Sequence, residues 1–274
     1  MSHASLNGRS KKRRVLRLTG RGREVVELGV IREVPLTIFF NGYEVVTLLT
    51  TGDHLGHLAV GFLSSEGLLR SREEINSLEV DEGQGYVKVT THPHLTTAEQ
   101  FEFLERFLSK KTITSGCGRG WSYSPLFDQL PPLNAPLSLS ISREEVLSLM
   151  AQLQSRSHLY RETRGVHSAA LATTKEILIF REDVGRHNAI DKIYGKAFLE
   201  GLPLSDKVVL TSGRVSSEIM AKVARMGVAI IISRSAPTDL ALELAEKVKA
   251  TVIGYVRGRE MRVYLGEERV RWAT

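Results

Sequence analysis

The spacing of apolar residues divides the chain into two unlike halves. Short alternating stretches dominate the first. Residues 15–30 alternate around Thr19-Gly20-Arg21-Gly22, which predicts strands joined by a turn. Residues 36–49 carry a stronger signal. Two runs rich in β-branched and aromatic side chains flank Asn41-Gly42, the pair favoured in a type I′ turn, so a hairpin is predicted. Leu55, Leu58, Ala59, Phe62 and Leu63 then recur at helical spacing over 53–69, with Asp53 as the expected N-cap and Glu66-Gly67 as the close. Two more strands are expected over 73–90, around Asp81-Glu82-Gly83-Gln84-Gly85. Residues 96–109 read as a helix opened by a capping box of Thr96 and Glu99.

The rhythm changes after a proline-bearing stretch, 125–136, that has little periodicity and reads as a linker. A helix is predicted over 142–158, with Ser142 and Glu145 as its capping box. Ala169-Ala170-Leu171-Ala172 and Ile177-Leu178-Ile179-Phe180 read as a hairpin. Apolar strands at 208–210, 228–232 and 251–255 alternate with helical patterns at 188–199, 216–226 and 239–249. Strands of that kind between helices imply a sheet covered on both faces and mainly parallel. The expectation is an α/β protein in four parts: a disordered basic leader over 1–14, a smaller N-terminal α+β part over 15–124, a linker over 125–141, and a C-terminal α/β part over 142–274 that binds a cofactor.

Composition narrows the setting. Hydrophobic residues make up 42 % and charged residues 25 %, as in ordinary globular proteins. No run approaches the ~18 uncharged apolar residues of a membrane span. The basic run Lys11-Lys12-Arg13-Arg14 is not followed by an apolar stretch, which argues against a secretory signal and for the cytoplasm. The net charge of +6 points to an anionic partner. With 7 % aromatics there is no interleaved stacking platform of the kind single-stranded nucleic-acid binders use, and a compact phosphate-bearing ligand fits the charge as well as nucleic acid does, although nucleic acid is not the partner expected for the chain as a whole.

Three features could carry chemistry. Cys117 is the only cysteine, so the chain can form neither an internal disulfide nor a two-thiolate zinc site. It stands among Gly116, Gly118 and Gly120, two residues from Arg119, whose charge would favour the thiolate. The second feature is Arg181-Glu182-Asp183-Val184-Gly185-Arg186-His187-Asn188-Ala189, where His187 could act as acid or base or hold a thiolate, with Asp183 to orient it. His167, in a glycine-bearing loop before a strand, is a further candidate. The third is a set of loops after successive apolar strands: Ser212-Gly213-Arg214, Ser233-Arg234 and Arg257-Gly258-Arg259-Glu260. Ligands sit at the carboxyl ends of such strands, and two of these loops lead into helices whose amides attract anions. His54 and His57 are three apart, with nothing nearby to complete a zinc set. No phosphate-binding loop or dinucleotide fingerprint is present. A cysteine hydrolase pairing Cys117 with His167 or His187 stays open on spacing alone.

Six of these segments, in order, resemble the FdhD family of formate dehydrogenase accessory sulfurtransferases. They are Phe40-Asn41-Gly42 with Gly61-Phe62-Leu63-Ser64-Ser65-Glu66-Gly67, Thr114-Ser115-Gly116-Cys117-Gly118, Gly165-Val166-His167-Ser168-Ala169, Glu182 to Lys192, Ser212 to Glu218, and Ser233 to Thr238. The resemblance implies a cytidine-deaminase-like three-layer core and a homodimer. It also implies a sulfur carrier: a cysteine desulfurase loads a persulfide at the position of Cys117. The sulfur passes to the molybdenum, or tungsten, of a bis(guanine dinucleotide) pterin cofactor carried as cargo before insertion into formate dehydrogenase. Tyr255, Val256, Arg257, Gly258, Arg259 and Glu260 match the stretch associated with that cofactor, and Ser212, Gly213, Arg214, Ser233 and Arg234 are expected beside it. One departure stands out: the family loop reads Cys-x-x-Cys, and its second position here is Gly120. A single thiol can carry a persulfide but cannot resolve one through a local disulfide. With no cysteine pair and no His-x-Glu, neither a tightly held zinc nor deaminase chemistry is expected. A non-catalytic chaperone for the finished cofactor is the alternative.

Overall fold

The computed structural model describes residues 8–94, 102, 104, 105, 130, 132, 133, 135, 136 and 138–272. The cysteine loop with Cys117 and Arg119 lies outside the described residues, as does most of the helix expected over 96–109.

The chain opens with a long antiparallel hairpin, β1 (Ser10–Thr19) and β2 (Gly22–Ile31), which turns where Thr19 to Gly22 predicts. Residues 10–14 were expected to be disordered leader; they form the first half of β1. Val15 faces Val26 and Leu16 faces Val25 across the pair, and this alternation carries the strand back through the basic run.

A second sheet holds β3 (Val34–Phe40), β4 (Tyr43–Thr50), β5 (Ile75–Asp81) and β6 (Tyr86–Thr91) in the order β4-β3-β6-β5. The β3–β4 turn is left-handed at both positions, Asn41 at φ 49° and Gly42 at φ 86°, as the Asn-Gly pair predicts. Helix α1 (Leu55–Ser65) covers one face, burying Leu58, Ala59, Phe62 and Leu63 against Leu36, Ile38, Val87 and Val89. Asp53 does not cap this helix. His54 holds the N-cap at φ 53° without a side-chain hydrogen bond, and Asp53 is drawn away to Lys192 (2.7 Å) and Arg9 (2.8 Å).

The C-terminal half begins with β7 (Ile141–Ser142), which pairs with the final strand β14 (Val270–Arg271). Leu139 and Ile141, at the end of the expected linker, are core residues. Helix α2 (Arg143–Arg156) has the predicted capping box of Ser142 and Glu145, and the short helix α3 (His158–Thr163) follows. The main sheet contains β8 (His167–Ala172), β9 (Ile177–Asp183), β10 (Val208–Thr211), β11 (Ile230–Ser233), β12 (Thr251–Arg257) and β13 (Glu260–Leu265), in the order β13-β12-β11-β10-β8-β9. Alternate side chains leave its two faces. Leu171, Val209, Ile231 and Val252 pack with helices α4 (Arg186–Glu200), α5 (Ser217–Arg225) and α6 (Asp239–Lys247). Ala170, Leu210, Ile232 and Ile253 pack with α2. Three layers result.

The sheet is mixed, not mainly parallel. Only β10, β11 and β12 run parallel, while β8, β9 and β13 pair antiparallel at its flanks. The connections explain this: the few residues between β8 and β9, or between β12 and β13, cannot make the crossover that parallel neighbours need.

The halves meet where α1 crosses α4. A Cβ on Gly61 would lie 1.8 Å from the Asp191 carbonyl oxygen, and one on Gly195 would lie 1.8 Å from that of His57. Only glycine permits this backbone approach. Two buried ion clusters flank the crossing. Lys192 Nζ sits 2.6 Å from Asp183 and 2.7 Å from Asp53. Lys222 Nζ sits 2.9 Å from Asp191 and 3.1 Å from Glu66. No described helix is long and apolar enough to cross a membrane.

Candidate anion-binding cleft

Because β10, β11 and β12 run parallel, their carboxyl ends bring the three expected loops to one sheet edge. Backbone bonds knit the loops together: Val215 donates to the Ala236 carbonyl, Thr238 to that of Val215, and Tyr255 to that of Ser235. Ser233 is fully buried. Its hydroxyl donates to the Gly213 carbonyl (2.7 Å) and accepts from the Ser235 amide (2.9 Å), so it braces the loop and does not face a ligand.

A cleft of about 580 Å³ opens at this edge, lined among others by Tyr160, Arg164, His167, Ser168, Ser212 and Arg234. Ser212 is fixed on β8: its amide donates to the Ser168 carbonyl, and its hydroxyl accepts from the Ser168 amide at 2.9 Å and lies 3.4 Å from His167 Nδ1. Beneath the cleft, Glu182 accepts the amides of Leu159 and Tyr160, both at 3.1 Å, and so seats the start of α3. Burial pushes its carboxyl up, against the pull of those two donors. His167 is pushed down, first by burial and then by the charges of Arg186 and His187.

Gly213 lies against Arg186 and His167. A Cβ there would sit 3.0 Å from Arg186 Cβ and 3.4 Å from His167 Nδ1. Arg186 Nε is buried and has no hydrogen-bond partner among the described residues. A buried guanidinium nitrogen without an acceptor is costly, and its natural complement is an anion. Arg214, on the same loop, is exposed.

The expected His187–Asp183 couple does not form. His187 Nε2 lies 2.9 Å from Glu218 Oε2. Asp183 is fully buried, 2.6 Å from Lys192, and accepts from Thr50 (2.7 Å), Asn188 (2.8 Å) and the Gly185 amide (3.1 Å). It locks the halves together and does not orient the imidazole. The residues lie close in sequence, but the strand ends at Asp183 pointing inward, and α4 then turns His187 toward α5.

In the last loop, Arg257 stacks on Tyr255 (4.6 Å to the ring centre) and donates to the Arg234 carbonyl (3.2 Å), which joins this hairpin to the edge. Tyr255 is held left-handed at φ 55°, and Gly258 makes the turn at φ 59°. Arg262 covers the ring at 4.3 Å and also pairs with Glu260 (3.5 Å). The Arg259 carbonyl accepts from Arg143 (2.7 Å). Val256 is buried in the core below and supports the loop without facing the edge. Sequence reasoning passed over Arg186, Tyr160 and Arg164. Arg186 stood beside His187 in the densest polar segment; Tyr160 belongs to a short helix with no periodic signal of its own, and Arg164 caps its end.

These features define an α/β protein whose mixed sheet presents a cleft rich in donors and cations at the ends of its parallel strands. The chain belongs to the FdhD/NarQ family, whose model matches residues 31–271. It is 40 % identical over 266 residues to the sulfur carrier protein FdhD of Bacillus pumilus, covering 97 % of this chain and 99 % of that one. It is 42 % identical over 247 residues to the protein of that name from Bacillus subtilis, covering 90 % and 92 %. A crystal structure from Desulfotalea psychrophila, described as a formate dehydrogenase accessory protein, superposes with a TM-score of 0.76 at 27 % identity, covering 96 % of this chain and 99 % of that one.

Proposed function

We propose that this protein is a sulfur carrier in the maturation of formate dehydrogenase, and that its cleft receives the guanine-nucleotide part of the molybdenum cofactor. The carrying observation is the concentration of cations at the sheet edge: Arg161, Arg164 and Arg234 line the cleft, and Arg186, whose buried Nε has no hydrogen-bond partner among the described residues, lies against Gly213 beside it. The names of the relatives support the client. The donor set suits a ligand with several phosphates: Arg186, Arg214 and Arg234 supply charge, and Ser212 and neutral His167 supply polar contacts. The cofactor is cargo here, and its metal is where the sulfur is used.

Cys117 carries the sulfur. Its thiolate, favoured by Arg119, attacks the outer sulfur of a persulfide on a cysteine desulfurase. The donor's S–S bond breaks, a new one forms on Cys117, and the donor leaves as a thiolate, so no external oxidant is needed. With Gly120 in the second position of the loop, sulfur leaves by transfer alone. The reaction belongs to the reducing cytoplasm, where a lone thiol persists, and the carrier acts as a homodimer.

The test is to incubate the purified protein with a cysteine desulfurase and cysteine, then record intact and peptide mass spectra. One added sulfur on the Cys117 peptide, removed by reductant and lost in Cys117→Ala, is the expected result. No added sulfur while a competent control carrier loads normally would replace this reading with a cofactor-binding chaperone, the alternative that Gly120 in place of a second cysteine keeps open.

A further inference from the structure

The hairpin β1–β2 lies almost wholly before residue 31, where the match to the family begins. Its foot is clamped. Arg9 pairs with Asp53, Ser10 donates to Glu162 (2.5 Å), and Gly29 lies against the Glu162 side chain so closely that a Cβ there would be 2.6 Å from Oε1. Beyond the foot the strands are exposed: Leu16 by 57 %, Val25 by 60 % and Leu18 by 72 %. Residues opposed across an antiparallel pair share a face. Leu16, Leu18 and Val25 therefore lie together, bordered by Lys12, Arg14 and Arg23, with Glu27 the one acid on that face. The hairpin from 10 to 31 carries Lys11, Lys12, Arg13, Arg14, Arg17, Arg21 and Arg23 against Glu24 and Glu27.

We infer that this face is a docking surface for a protein partner whose own surface is acidic around an apolar centre. Resting on the function proposed above, that partner is the formate dehydrogenase polypeptide. An aliphatic centre inside a charged rim is the anatomy of a protein interface. Single-stranded nucleic acid would call for aromatic stacking groups, and residues 10–31 contain no aromatic residue; a duplex, bound through its phosphates alone, gives the exposed aliphatic centre nothing to cover it. An isolated two-stranded hairpin is marginal in water, so an extended one with exposed aliphatics gains from a partner that covers it. The location fits as well. Gly29 is on the same face as Leu16, and it abuts α3, whose Tyr160 lines the cleft together with Arg164 at the helix's C-cap. A polypeptide seated on the hairpin lies beside the rim from which cargo would be delivered.

The test compares the full-length protein with a Leu16→Asp/Leu18→Asp variant and a Lys12→Glu/Arg14→Glu variant, each confirmed folded by circular dichroism. Affinity for purified cofactor-free formate dehydrogenase is measured by biolayer interferometry at roughly 50 and 300 mM salt, and GDP affinity by calorimetry on the same samples. The expected result is at least about a tenfold loss in formate dehydrogenase affinity for both variants, a wild-type affinity that weakens with salt, and unchanged GDP binding. The proposal is overturned if the variants bind as wild type does, if wild type binds GDP but not formate dehydrogenase, or if the hairpin changes abolish binding to RNA or anionic vesicles instead. Wild type binding neither GDP nor formate dehydrogenase would remove the function on which it rests as well.

Discussion

Gly213 and Arg186 show how narrow the margin is at single positions. Replacing Gly213 with Ala places a carbon 3.0 Å from Arg186 Cβ and 3.2 Å from its Cδ, so the arginine must shift. The expected outcome is a severalfold weaker GDP affinity with a melting temperature close to wild type, read by calorimetry and thermal unfolding; unchanged affinity would remove Arg186 from the site. Histidines set the pH response. Burial first, then Arg181, holds His54 down from 6.5 to about 4, and His57 and His167 are lowered too. The folded state then takes up fewer protons than the unfolded chain below pH 6.5. Their stabilisation is complete above that value and is lost as pH falls toward 4. Asp53 acts lower down: burial raises it, but Lys192, Thr51 and Arg9 outweigh burial and bring it to about 2, so its contribution fades between pH 3.8 and 2. Urea midpoints should therefore decline from pH 7 to pH 5, well above the range in which Asp53 contributes, and a flat profile over that interval would contradict the assignment. Sequence reading found Ser212, Arg234 and His167, because strand ends and glycine loops mark such positions. It could not see that Asp183 faces Lys192, because a lysine inside a helix reads as solvated and gives no sign of full burial.

Elements with local signals were legible: the Asn41-Gly42 hairpin, the Ser142–Glu145 box, and the helices over α4, α5 and α6. What escaped depends on contacts distant in sequence. The orientation of the flanking strands of the main sheet is set by pairing partners, and α1 lost its expected cap because Asp53 binds a lysine 139 positions away. The α1–α4 crossing is the sharpest of these contacts. Gly61→Ala or Gly195→Ala must push two backbones apart, and each should cost about 1–3 kcal/mol or more in denaturant unfolding. The double variant should cost less than the sum of the singles, because one separation relieves both clashes. A change below about 0.5 kcal/mol in either single variant would mean that the helices do not pack this closely. Lys192→Met tests the neighbouring cluster. It leaves Asp183 buried without its cation, and a loss of about 3–5 kcal/mol is expected, as for other broken buried pairs. Asp183→Asn paired with Lys192→Met should recover part of it, since the stranded charge is removed.

On the scale of the whole molecule, the two halves distinguished by hydrophobic rhythm share their cores. Phe198 and Leu199 of α4 pack into the cluster formed by α1 and the N-terminal sheet, and Lys222 of α5 reaches Ser65 at the end of α1 (2.6 Å). Sequence pattern alone could mark where the rhythm changes but not that the parts interlock, because a glycine pair and two buried lysines carry the junction. The interlock also bears on the order of events during synthesis. A ribosome releases the N-terminal sheet and α1 long before it makes α4, so the nascent chain must hold the apolar seam of α1 uncovered until residue 200 has emerged. A fragment ending near residue 185 should remain non-native and bind a hydrophobic dye, whereas the full chain should not. Growing chains of this protein are thus natural clients for a ribosome-associated chaperone, and their yield should depend on translation speed across the interval between the two glycines.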